Sequence, residues 1–396
     1  MKLSLLLGSG ISLKAGKPCI GAMNSSILDG MVQHQEFVGN FAKADDRSDG
    51  LAFIKLVIPY IEKFHKAFRI TKDVNYEDIF YLISQIHDQE NREYENPGIE
   101  PLIDAVKQQL ASAPELNGKQ LIDVSRKACE YIRDCVWRLL AGPATGTEHL
   151  RVIADICRAN KDVNIITLNH DTVLEEFLES HGIAYNDGFT HLNGEKCFDP
   201  ASVRNQSGVM LIKLHGSINW FRRHGDSSKE TVFKTGKRGF ERTENAKGEN
   251  QWLVDGYPML LIGNHNKILE YTTYVFSHLY CAFHRALEES DRLMICGYGY
   301  CDKAVNSRVV EWMLEKDKSI VVVHRDPDKL MADGRPAMQA LNSYPSYKQI
   351  RKWMEPSLTW DEIRLALEPS AETLLRQKVN AALDSAILAL QQQKLP

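Results

Sequence analysis

The chain has 396 residues, 43% hydrophobic and 25% charged, which is ordinary globular usage with enough apolar material for a sizeable core. That length suits one large domain or two of ordinary size, and the composition argues against wholesale disorder. A formal net charge of −4 gives no support to nucleic-acid binding through a broad basic surface.

The first element is an apolar run, Leu3 to Leu7, that ends at once in Gly8-Ser9-Gly10. It is too short for a signal peptide and lacks a small-residue cleavage site, so it reads as a first β-strand. No stretch reaches the ~18 apolar residues needed to cross a bilayer, so no membrane is expected. The eight cysteines never form a C-x-x-C pair. The nearest ones, Cys129, Cys135, Cys296 and Cys301, have spacings that do not suit zinc, so no metal is expected. Reduced thiols in a cytoplasmic protein are the default for such a chain.

From about Ala22 to Thr147 the pattern turns helical. Leu51 to Phe68, Tyr76 to His87 and Leu121 to Leu140 carry apolar residues at helical spacing, separated by breaks at Asn96-Pro97-Gly98 and Ala113-Pro114. This segment reads as a large helical insertion after the first strand. Short β-branched runs then return at Val163 to Thr167, Val209 to Leu214, Arg292 to Cys296 and Ser319 to Val323, as expected of buried parallel strands. A helical stretch from about Lys303 to Lys316 joins the last two into a βαβ unit. Asp226 to Gly256 is polar and reads as an exposed hairpin or loop. From about Trp360 the chain reads as helical, ending in Ala381 to Leu395, where a solvated helix and a partner-docking helix are both open. The expected fold is a Rossmann-like, doubly wound α/β sheet with the helical insertion at about 22–147 inside a domain spanning 1–355. A helical C-terminal segment spans 356–396.

Four strand ends carry the polar residues. Gly8-Ser9-Gly10-Ile11-Ser12 permits a tight turn whose N–H groups could cradle a pyrophosphate, although Leu13 stands where a third glycine would complete the fingerprint. Thr167-Leu168-Asn169-His170-Asp171 ends the second core strand. Asp171 reads as the cap of a helix from Thr172 to Ser180, whereas core packing does not explain Asn169. His215 follows a buried strand in Lys213-Leu214-His215-Gly216-Ser217. Cys296-Gly297-Tyr298-Gly299-Tyr300-Cys301-Asp302, then Asn306, leads another strand into a helix that Asp302 is expected to cap.

In this order, GSGIS, TLNHD, KLHGS and GYGYCD resemble the sirtuin superfamily over about residues 1 to 325. The resemblance implies an NAD site with Asn169 and His215 as catalytic residues. It implies cofactor contacts from Gly8, Ser9, Gly10 and Ser12 at the pyrophosphate, from Asp302 and Asn306 near the adenosine end, and from Asp171, Gly297 and Tyr298. The chain departs from the deacetylases in lacking the zinc-holding C-x-x-C pairs and the Asp-Phe-Arg continuation of the first loop, which here reads Gly16-Lys17-Pro18-Cys19-Ile20. Asn75-Tyr76-Glu77-Asp78 and the His215-to-Trp220 stretch look like the bacterial sirtuin-like domains of antiphage defence. That resemblance implies an NAD glycohydrolase, assembly as a homo-oligomer, and a HerA-type ATPase as partner. A non-catalytic NAD or ADP-ribose scaffold and a zinc-free protein deacylase stay open as alternatives.

Overall fold

The computed structural model describes residues 2–30, 44–68, 73–93, 96–192, 194–204, 207–224, 230–236, 257–263, 266–315, 317–332 and 335–368. Its strands, in chain order, are β1 (Leu3–Leu7), β2 (Val163–Thr167), β3 (Tyr185–Asn186), β4 (Phe189–Leu192), β5 (Glu195–Phe198), β6 (Val209–Lys213), β7 (Trp220–His224), β8 (Glu230–Lys234), β9 (Arg292–Cys296), β10 (Ser319–Val323) and β11 (Tyr347–Ile350). Between β1 and β2 lie α1 (Ile20–Leu28), α2 (Ala44–Ala67), α3 (Tyr76–Glu90), α4 (Glu100–Ser112), α5 (Leu121–Leu140) and α6 (Arg151–Ala159). The later helices are α7 (Val173–Ser180), α8 (Pro200–Arg204), α9 (Asn266–Glu270), α10 (Tyr274–Glu289), α11 (Lys303–Met313), α12 (Pro327–Ala332), α13 (Pro336–Asn342) and α14 (Trp360–Leu367).

The main sheet has seven strands in the order β11-β10-β9-β1-β2-β6-β3, and every pairing in it is parallel. Its continuous apolar strands are covered on both faces, because alternate side chains point to opposite sides. Leu6, Ile166, Ile212, Ile295 and Val322 enter one core with α10, α11 and α13. Leu5, Leu7, Ile165, Met294 and Val321 enter the other with α6, α7 and α14. Ser4 is the polar exception in β1, and its hydroxyl is satisfied by Ser290 Oγ at 2.6 Å. From β1 the chain fills one side with β2 and β6, then returns to the other side with β9, β10 and β11. The order therefore reverses at the β1–β9 boundary, and the crevice beyond the carboxyl ends of those strands is where such sheets take ligands.

The Rossmann-like doubly wound reading with a helical insertion after the first strand is therefore correct. Helices α1 to α5 close their own core around Phe53, Phe80, Ile83, Val124 and Ile132. Ile218, Leu260 and Ile262, which flank the His215 turn, pack into that same core, so the helical layer sits directly over the strand ends.

Several boundaries and one whole sheet differ from the sequence reading. Helix α2 starts at Ala44 rather than Leu51, and α4 lies unanticipated between the two proline breaks. The polar stretch read as an exposed hairpin or loop does supply a hairpin strand, β8, paired antiparallel with β7, but Val232 and Phe233 on it are buried rather than exposed. Residues 225–229 and 237–256 of that stretch lie outside the described residues, as do 369–396, including the terminal helix read at Ala381 to Leu395. Strands β4-β5-β8-β7 form a separate antiparallel sheet. Its strands are four or five residues long, and on single short runs alternation is weak against loop composition.

Candidate functional site

Two glycine turns meet at the switch point. Gly8 donates its N–H to the Cys296 carbonyl and Gly10 donates to the Gly297 carbonyl, both at 3.0 Å. A Cβ on Gly8 would fall 2.4 Å from the Gly297 carbonyl oxygen, and one on Gly10 would fall 2.7 Å from the Gly297 Cα. Gly297 itself sits at φ 65°, in the left-handed region. The glycines predicted to approach a ligand thus first approach each other. A cleft of about 1360 Å³ opens above them. Gly8, Ser9, Gly10, Ser12, Asn169, Asp171, His215, Gly297, Tyr298 and Asp302 all line it. Asn306 does not.

At one end stands the turn after β2. Asn169 is 4% exposed, and its Nδ2 donates to Ser12 Oγ at 3.0 Å, tying the first two strand ends together. Its Oδ1 is buried with no hydrogen-bond partner. An orphaned buried acceptor in a native fold calls for an explanation, and a donor carried by a ligand supplies one. The neighbouring His170 is buried with an unpartnered Nδ1, and its carbonyl accepts from the Ile218 N–H at 3.0 Å. Asp171 stands one residue outside its predicted place: Thr172 occupies the N-cap position of α7 without a side-chain cap bond, while Asp171 Oδ1 accepts from the Val173 N–H at 3.1 Å. The carboxylate supports the helix start from one residue further back. Burial pushes the Asp171 carboxyl up against the pull of Lys213, the Val173 amide, Ser12 and Lys17.

His215 closes a triangle that sequence spacing did not reveal. Its Nε2 lies 3.0 Å from Asp302 Oδ2 and 2.9 Å from the Tyr271 hydroxyl, and that hydroxyl donates to the same carboxylate oxygen at 2.8 Å. Burial pushes the Asp302 carboxyl up, but the hydrogen bonds from His215 and the Val305 amide, with the nearby positive charge, hold it well below the usual carboxylate range. Burial and the Lys267 ammonium push the His215 imidazole down, although Asp302 opposes them. The consistent assignment is an ionised Asp302 and a neutral His215 with its proton on Nε2, which leaves the Nδ1 lone pair free. Lys267, 6% exposed, is paired with Glu77 at 3.3 Å, so the Asn75-Tyr76-Glu77-Asp78 motif borders the same end. Asn75 and Asp78 cap α3 reciprocally.

Asp302 caps α11 as expected, through the Val305 N–H at 3.0 Å. It does not lie away from His215 at an adenosine end, because the left-handed Gly297 and Tyr300 (φ 54°) bend the chain back toward β6. Asn306 is also corrected. Its Oδ1 accepts from the Tyr298 hydroxyl at 2.7 Å and its Nδ2 donates to the Tyr300 carbonyl at 2.9 Å, so it braces the turn from behind. Tyr298 is 6% exposed and packs in the α10–α11 core. Sequence reasoning missed Tyr271, which stands in a short segment without periodicity. It also missed Lys213, 1% exposed, which donates to the Asp171 carbonyl and to Glu175 Oε1 at 2.9 Å. A lysine closing an otherwise apolar strand was the available signal for the latter.

His170 gives a pH prediction. Burial, then the charge that His215 would carry if protonated and the charges of Lys267 and Lys213, push its imidazole well below 6.5. A folded value below the unfolded one means the unfolded chain binds the extra proton, so stability is lost as pH falls below about 6.5. That loss approaches ~1.4 kcal/mol per pH unit for one histidine. Unfolding free energy measured from pH 7.5 to 5.5 should fall more steeply in the native chain than in His170→Gln. Parallel curves for the two would show that His170 is not the proton-linked group.

A SIR2-like domain family matches residues 163–345, from the start of β2 to just before β11. No curated protein matches the sequence at a significant level. Solved structures with a similar course include a Sir2 homolog–NAD complex at 14% identity, covering 92% of this chain and 89% of that one with a TM-score of 0.41. A mutant Sir2 homologue with 2′-O-acetyl ADP ribose is 12% identical, covering 93% of this chain and 94% of that one with a TM-score of 0.37.

Proposed function

We propose that the cleft binds NAD and hydrolyses its nicotinamide–ribose bond, releasing nicotinamide and ADP-ribose. The observation that carries this reading is the meeting of Asn169, with its orphaned Oδ1, and the His215–Asp302–Tyr271 triangle at one end of a cleft floored by glycine turns. The SIR2-like match over 163–345 supports it, since Asn169, His215 and Asp302 all fall within that segment. The residues fit the dinucleotide: unpartnered acceptors suit ribose hydroxyls, and bare backbone at the switch point suits a pyrophosphate.

In the reaction the C1′–N bond breaks and both its electrons return to the pyridinium nitrogen, so nicotinamide leaves neutral and needs no acid. A water oxygen bonds to C1′ and its proton passes to a base. Neutral His215, its Nε2–H held by Asp302 and Tyr271, offers Nδ1 for that proton. Asn169 Oδ1 accepts from the water or a ribose hydroxyl, and Ser12 fixes the amide that carries it.

The test is mass spectrometry of NAD incubated with the full chain, beside Asn169→Ala, with and without an ATPase partner. Release of nicotinamide and ADP-ribose, lost by ~100-fold or more in Asn169→Ala, is the expected result. NAD bound but never cleaved would replace the reading with a scaffold role. A second reading rests on the apolar arm of the cleft between α1, α2, α3 and α4, lined by Met23, Tyr60, Ile61, Leu82 and Leu102, which suits an acyl chain. O-acyl-ADP-ribose formed from an acyl-lysine peptide would favour that deacylase. An effector that depletes NAD needs restraint in its host, and we propose the antiphage role, a homo-oligomer and a HerA-type ATPase partner as its context. A monomer mass by light scattering would remove the homo-oligomer.

A further inference from the structure

The far end of the cleft, beyond β10, is built differently from the His215 end. Four inter-strand steps separate β6 from β10, which at about 4.8 Å each places ~19 Å between the two ends, a span suited to an extended dinucleotide. Arg325, two residues after the end of β10, is exposed and lines the cleft, and its guanidinium rests 5.0 Å from the Trp353 ring centroid. Lys329 and Arg335 also line the cleft, and Arg325, Lys329 and Arg335 have no ion pair among the described residues. The Nε of Arg335 is buried without a partner.

The acidic counterpart is a single carboxylate, Asp326, with one oxygen already hydrogen-bonded to the backbone. In dinucleotide folds, a carboxylate near a strand end receives the hydroxyls of an adenosine ribose, whereas an arginine there accommodates a 2′-phosphate. Here Asp326 Oδ1 accepts from the Lys329 N–H at 3.0 Å, and the Asp326 N–H donates to His324 Nδ1 at 3.1 Å, so that segment is folded on itself. The rim offers three positive side chains to one carboxylate, whose Oδ1 already accepts a backbone N–H. A neutral ribose edge does not need that excess. A phosphomonoester does, because a planar guanidinium held by stacking presents paired N–H groups to a tetrahedral anion.

We propose that the site prefers the 2′-phosphorylated dinucleotide, NADP, over NAD, with Arg325 as the principal phosphate contact and Lys329 and Arg335 beside it. The inference rests on the dinucleotide reading of the cleft but not on its cleavage. Cleaved by the same route, NADP would give nicotinamide and 2′-phospho-ADP-ribose.

Calorimetry with adenosine 2′,5′-bisphosphate and with AMP tests the subsite apart from chemistry, using the full chain and Arg325→Ala. A charge-assisted contact of this kind predicts a preference for the bisphosphate of ~10- to 100-fold that largely disappears in Arg325→Ala. The kcat/KM ratio of NADP to NAD should fall by a similar factor in that variant. Equal affinity for the two nucleotides, or a preference that survives Arg325→Ala and a combined Arg325→Ala, Lys329→Ala variant, overturns the inference and leaves the dinucleotide reading standing. Binding of neither nucleotide overturns both. Preferential binding without any cleavage of NADP or NAD upholds the inference and sinks only the hydrolase.

Discussion

Replacing His215 with alanine is expected to lower nicotinamide release by ~100- to 10,000-fold while the chain stays folded. The fold should survive because the ring's hydrogen bonds go only to Asp302 and Tyr271, and that carboxylate keeps the Tyr271 hydroxyl and the Val305 amide after the ring is gone. Asp302→Asn separates positioning from mere structure. An asparagine can donate to Nε2, which would force the imidazole proton onto Nδ1 and remove the lone pair assigned to the base. The expected result is a large loss in kcat with KM little changed, and loss of the acid limb that neutral His215 gives the pH profile. Tyr271→Phe should cost less, ~10-fold, because it removes one donor from a carboxylate that retains two. Near-wild-type turnover in His215→Ala, measured by nicotinamide release on a variant with an unchanged circular dichroism spectrum, would remove the histidine from the chemistry.

The parts of this site that could be read from sequence are those where one strand end explains itself. β1, β2, β9 and β10 each bury five consecutive residues or nearly so, and such runs announce buried parallel strands without help from their neighbours. Asn169 and His215 stood out because a polar side chain directly after such a run has no packing reason to be there. What lay beyond reach was pairing between distant segments. Asp302 was assigned to a separate end of the ligand because nothing in its spacing shows that Gly297 and Tyr300 turn left-handed and swing it to β6. Tyr271 sits 56 residues from His215 along the chain, in a segment whose only local signal is a short helix. The antiparallel sheet had one usable mark, the Asn193-Gly194 pair between two short runs, a combination that favours hairpins. The runs on either side are four residues each, too short for alternation to strengthen it.

Gly8→Ala is expected to destabilise the chain by about 3 kcal/mol or more, although the change adds one methyl group. The backbone at Gly8 is ordinary and extended, with φ −107° and ψ −177°, so conformational freedom is not what the position requires. What it requires is the absence of a Cβ: the added carbon would meet the Gly297 carbonyl oxygen at 2.4 Å and the Tyr298 Cα at 2.7 Å. Both are backbone atoms of the opposing turn, so neither can rotate aside. Relief would have to separate the β1 and β9 turns, breaking the Gly8 and Gly10 N–H bonds to that turn and shifting the chain that carries Asp302 to His215. Stability and ligand affinity should therefore fall together. Gly118→Ala is the control, since Gly118 sits at φ 76° with nothing within 4 Å and should lose only ~1 kcal/mol from its left-handed backbone. Thermal unfolding of the two variants beside the native chain decides the matter. If Gly8→Ala melts no earlier than Gly118→Ala and binds dinucleotide unchanged, the two turns do not hold each other, and the glycines serve the ligand alone.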